Sequence, residues 1–161
     1  MSGPNFELIT ELQTLTRRDF TIADSTILAP TGALPLVDGE WLELNSSYQL
    51  ARGATGVQSY SMLTFPVHTE RGRYDTQAIG KVNVLMLGMY EAETQVMVAS
   101  GITLGEGLIV TNLASGAHTG RRGLVEQAGA TATTLVVGYA TKLPASNGGK
   151  LRFVHFGNAL V

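Results

Sequence analysis

Apolar and polar residues alternate along most of this chain with the two-residue period of half-buried strands, in short runs punctuated by Gly, Pro, Asn and Asp. The stretch Leu34–Leu50, LPLVDGEWLELNSSYQL, shows the pattern best and holds the one tryptophan. Asp38-Gly39 is a hairpin signal, because such a turn needs positive φ and glycine supplies it without steric cost. Trp41 follows it inside the apolar alternation with Leu42 and Leu44, so it is predicted to anchor a small β core.

The same reading extends over the chain. Residues 1–18 fit two patterns. As a helix, Leu8, Leu12 and Leu15 share a face, with Glu7 and Glu11 early and Arg17 and Arg18 late, which suits the macrodipole. As an extended arm, Phe6, Leu8, Thr10, Leu12 and Thr14 alternate with Glu7, Ile9, Glu11 and Gln13, and the threonines disfavour helix, so the arm is preferred. Strands are predicted at 19–28, 61–68, 81–87, 94–99, 108–111, 124–129, 133–141 and 150–156. Pro66 lacks a backbone donor and places its strand at a sheet edge, while Gly138 inside a strand pattern implies a bulge or a close backbone approach. Thr69–Asp75 is the most charged stretch, read as a solvated loop or, through Arg71, Arg73 and Tyr74, as a docking surface. Leu113–Gly123 reads as a polar loop with an exposed tip. The expected division is an arm over 1–18 and a mainly β body, barrel or sandwich, over 19–161.

Composition narrows the chemistry. At 161 residues the chain can bury a core without staples, and with no cysteine it has no disulfide framework, thiol nucleophile or thiolate metal site. A net charge of −2 argues against direct nucleic-acid binding. No apolar run approaches a membrane span, and the N-terminus lacks the pattern of a secretory signal, so Asn45-Ser46-Ser47 reads as a polar loop. Arginines outnumber lysines eight to three, a bias toward stacked and bidentate contacts that hints at protein interfaces.

A search for catalytic constellations returns little. His68 and Glu70, two apart on a strand, face the same way, as a metal pair can begin; His118 and His155 carry no ligand spacing. Ser115 and His118 lack the frame of a nucleophile elbow. The carboxylate pairs Glu40/Glu43 and Glu91/Glu93 are expected to face solvent, and Gly105-Glu106-Gly107 is expected to be a turn and not a dinucleotide loop. A binding or structural role follows by elimination, with no catalytic residue, cofactor or metal called for.

One resemblance gives that role a direction. Leu135-Val136-Val137-Gly138-Tyr139-Ala140 followed by Gly148-Gly149-Lys150-Leu151-Arg152-Phe153-Val154 resembles the closing strands of head decoration (cement) proteins of tailed bacteriophages. Gly105–Val110 and Gly39–Leu44 are similar to that family's glycine-led strand and early hairpin. The resemblance implies a β-tulip or related fold, no enzymatic activity, assembly as a homotrimer or dimer on the outside of the head after synthesis in the host cytoplasm, and clamping of neighbouring major capsid subunits without nucleic acid or membrane. On that reading the capsid or subunit interface falls on Phe6, Leu8, Leu12, Leu15, Arg17, Arg18, Arg71, Arg73, Tyr74, Arg121 and Arg122, with residues 1–18 as a docking arm. The alternatives are a tail or receptor-binding module and a small metal-dependent enzyme using His68 and Glu70.

Overall fold

The computed structural model describes residues 5–12, 14–23, 36–52, 64–68, 80–98, 100–126, 135–146 and 148–160. The described residues form strands β1 (Phe6–Glu11), β2 (Thr16–Thr21), β3 (Trp41–Leu44), β4 (Leu50–Ala51), β5 (Thr64–Pro66), β6 (Lys81–Leu87), β7 (Tyr90–Thr94), β8 (Gly107–Asn112), β9 (Arg122–Glu126), β10 (Leu135–Lys142) and β11 (Leu151–Leu160), with no helix among them. The protein is mainly β and sandwich-like, and among the described residues no ladder closes into a barrel.

A six-stranded antiparallel sheet runs β1-β7-β11-β10-β8-β9. The segment after β7 leaves the sheet and crosses to its far edge, where Met97 bridges Leu124 of β9 and the Val98 N–H donates to the Leu124 carbonyl at 3.0 Å. The sheet therefore curls around its core. Two smaller sheets, β2-β6 and β4-β3-β5, are joined by single bridges at Val67–Val84 and Ile22–Leu50. Their strands wrap a second core.

Strand alternation ties the two cores together, since successive side chains point to opposite faces. Trp41 is fully buried in the first core, among Leu108, Val137, Phe153 and their neighbours, while the adjacent Leu42 lies in the second with Phe20, Phe65 and Val82. On β6, Leu85 and Val84 divide in the same way. β3 and β6 thus form a shared wall, and the stretch around Trp41 is central as its pattern predicted. A fully buried aromatic of this size contributes on the order of 2–3 kcal/mol of transfer free energy.

Several expectations hold in detail. β6 spans the predicted 81–87, β5 with Pro66 is an edge strand, and the register slips between Val136 and Gly138, where a side chain would collide with the Val154 carbonyl. Others are corrected. The hairpin lies one turn later than Asp38-Gly39: β3 pairs with β4 through Asn45–Gln49, where the Asn45 Oδ1 accepts the Ser47 and Gln49 N–H groups at 2.9 Å each. The strand expected at 94–99 does not continue past Thr94 over the described residues 95–98; β7 begins at Tyr90 and ends at Thr94.

Residues 6–11 are extended and not helical, and they pair in cis with β7, from Phe6 opposite Thr94 to Glu11 opposite Tyr90. Residue 18, the expected boundary of an arm, lies inside β2, which pairs with β6. Phe6 and Leu15 belong to the first core and Phe20 to the second. This segment is woven into both halves of the body.

Candidate binding surfaces

β1 and β2 form one bent ribbon, and β6 and β7 form another that runs alongside it, so both chains turn the corner between sheets at the same place. Gly88 makes that turn at φ 115°, where a β-carbon would overlap Leu15. The Leu12 N–H donates to the Met89 carbonyl at 3.0 Å and Thr16 faces Leu87, which brings Leu12, Leu87 and Met89 together on the outside of the corner. Leu12 is 49 % exposed and Leu87 60 %. Two exposed leucines at this corner make a small apolar patch. Arg17 stands beside it, held to Glu11 at 2.9 Å, and the Arg18 guanidinium lies 5.3 Å above the Phe20 ring.

The other interface candidates divide. Leu8 is half-buried against the first core. Phe6 and Leu15 are buried in the chain's own core, so they are not available to a neighbour. Arg71, Arg73 and Tyr74 lie outside the described residues, as does Glu70 of the suggested metal pair. Among the described residues no group of three His, Asp or Glu side chains is placed to hold a metal.

Arg121 and Arg122, expected on an exposed loop, turn inward. Arg122 is 1 % exposed; it pairs with Glu43 and donates from Nη1 to the Arg52 carbonyl at 3.1 Å. Arg52 grips Glu40 with Nε to Oε1 at 2.5 Å and Nη2 to Oε2 at 3.1 Å, and the Arg121 Nε lies 3.8 Å from Glu40 Oε2. Glu40 and Glu43, expected to face solvent, are both buried. Burial raises the Glu40 pKa despite the two guanidiniums, and burial lowers that of Arg121 despite Glu40. The cluster ties the start of β9 to the β3–β4 hairpin, across the junction of two sheets. A signal was present in the sequence: Glu43 shares a strand face with Trp41, so a buried tryptophan implied a buried glutamate needing a cation.

Around the C-terminal end of β10, the Gly105 N–H donates to the Ala140 carbonyl at 2.9 Å and brings Leu104 beside Tyr139 and Leu143. All three are exposed, and the Tyr139 ring rests 5.2 Å from Phe156. The adjoining outer face of the sheet carries Glu7, Glu93 and Arg152 in register, with Arg152 Nη2 2.8 Å from Glu93 and Lys150 3.0 Å from Glu7. Glu93 raises the Arg152 pKa. Glu91 and Glu93 thus lie on the water-facing side of the sheet as expected.

His155 and His118 sit in different surroundings. His155 is buried beside Trp41 and Tyr90, its Nδ1 2.6 Å from the Val137 carbonyl, and desolvation lowers its pKa to about 4. The buried Tyr90 hydroxyl has its pKa raised by the same desolvation. Ser115 and His118 both line a cleft of about 530 Å³ with Gln95, Met97 and Gly148. Burial lowers the His118 pKa first and the Arg121 charge lowers it further.

Comparison with protein families, with curated proteins and with solved structures finds nothing similar to this chain.

Proposed function

We propose that the protein is a structural virion component, a head decoration protein that binds the outside of an assembled phage capsid and joins neighbouring major capsid subunits. The observation that carries this reading is the exposed apolar corner of Leu12, Leu87 and Met89, with the Arg17–Glu11 pair beside it. An exposed apolar patch that includes a methionine and has an arginine at its edge suits a protein partner, and preorganised strands lose little entropy on docking. The resemblance of β10, β11 and the Gly105–Val110 stretch to cement proteins supplies the partner. Binding only the assembled shell stabilises it by mass action, and many copies multiply a modest interface energy.

Co-sedimentation of the purified protein with expanded, emptied heads tests the proposal. The wild-type chain saturates the heads, and a Leu12→Asp/Leu87→Asp double variant, altered only at exposed positions, retains its melting temperature and loses at least tenfold in occupancy. Failure of the wild-type chain to bind heads overturns the function. Undiminished binding by the double variant moves the interface elsewhere.

A further inference from the structure

The loop that joins β3 to β4 contains a residue that its backbone does not favour. Tyr48 sits at φ 57°, the only non-glycine residue at positive φ among those described. The left-handed region brings Cβ close to the carbonyl and is populated mainly by Gly and Asn, so an aromatic residue there is strained. Packing does not explain the choice, because Tyr48 is 78 % exposed. The turn is fixed without it: the Tyr48 N–H donates to the Asn45 carbonyl at 3.0 Å, the Asn45 N–H donates to the Gln49 carbonyl at 2.9 Å, and the Asn45 side chain holds two more donors. Glycine would close the same turn with less strain.

The ring stands at the rim of a groove of about 310 Å³ between β2 and this hairpin, floored by Leu44 and Met86 and edged by Arg18, Asp19 and Thr21. Such a volume is at the small end of ligand sites, about 300–1,000 Å³, and a mixed lining with a few polar groups is their usual chemistry. The polar groups are ordered. Asp19 Oδ1 is held by the Asn83 amide at 3.0 Å and Arg18 by the Phe20 ring. Arg18 and Asp19 follow each other on β2 and place one cation and one anion on the same edge of the groove, so neither a polyanion nor a polycation is favoured. A neutral molecule with hydroxyls for Asp19, Arg18 and Thr21, and an apolar face for the tyrosine, meets every requirement.

We infer that the groove beside Tyr48 is a binding site for an uncharged saccharide, with the exposed tyrosine ring as its stacking platform. The strained backbone is the device that turns that ring outward. Strain retained at one exposed residue, where a simpler one would serve the fold, is characteristic of functional positions. This assignment is independent of shell binding and is testable on the isolated chain.

The test is a heteronuclear NMR titration of the full chain with uncharged oligosaccharides of glucose, galactose, mannose and N-acetylglucosamine. At least one shifts the amides of Thr21, Tyr48 and Met86. Tyr48→Gly relieves the strain, so it melts at or above the wild-type temperature and loses at least tenfold in affinity; Tyr48→Phe keeps the ring and most of the binding. The assignment is overturned if no saccharide of the panel moves the groove amides, if Tyr48→Gly binds as well as wild type, or if that variant melts well below wild type, which would make the ring structural.

Discussion

His155 gives the clearest residue-scale consequence of burial. Its pKa is lowered from 6.5 to about 4, so the unfolded chain binds a proton in that window that the folded chain refuses. Stability from this group is fully present above about pH 6.5 and is lost as the pH falls toward 4, by about 3 kcal/mol. Glu40 works in the opposite sense: its pKa is raised above 4.5, so the folded state takes up the proton first and its share of stability grows as pH falls through that window. Urea unfolding at a series of pH values from 7 to 4 should show a net loss, and His155→Phe should flatten it; an unchanged slope in the variant would remove His155 from the account. Trp41 is tested without titration. It is fully buried on the wall between the cores, and Trp41→Ala should cost about 3–5 kcal/mol by chemical denaturation.

At the scale of elements, the ionic cluster and the N-terminal ribbon make separate predictions. Arg122→Met removes the partner of buried Glu43 and should destabilise by about 3–5 kcal/mol, because the uncompensated charge stays in the interior. Replacing Arg122 and Glu43 together by Met and Leu should recover most of that loss, read in the same denaturation assay. The ribbon overturns an expectation of independence. Residues 1–18 were expected to be dispensable for the body, yet Phe6 and Leu15 are buried in the first core and β1 pairs along β7. Deleting them should abolish or greatly lower the melting transition. What the sequence allowed here was the conformation and not the partner. Threonines and period-two alternation made the segment extended, but nothing local distinguishes pairing with one's own β7 from pairing with a neighbour. The strands themselves were legible wherever one face is buried, as in Lys81–Leu87. The carboxylates failed for the same non-local reason: the cations for Glu40 and Glu43 arrive from Arg52, Arg121 and Arg122, far along the chain. Leu12, Leu87 and Met89 become one surface only through the corner at Gly88, which no single segment reveals.

For the whole molecule, the question is how copies meet. Closing a threefold ring requires a heterologous contact, in which one patch meets a different patch on the next copy, whereas a twofold dimer uses one patch twice. This molecule presents two unlike apolar patches, the corner at Leu12 and the end of β10 at Leu104, Tyr139 and Leu143. Both are edged by ion pairs, Arg17–Glu11 at the corner and Lys150–Glu7 with Arg152–Glu93 on the face that adjoins the β10 end. A ring in which one patch meets the other is therefore the assembly to test against the self-complementary dimer. Light scattering on the purified chain should then give a trimer mass. Leu104→Glu/Leu143→Glu should release monomers with an unchanged melting transition of the chain fold. A dimer would point to an isologous contact through one patch, and a monomer at every concentration would leave association to the shell alone.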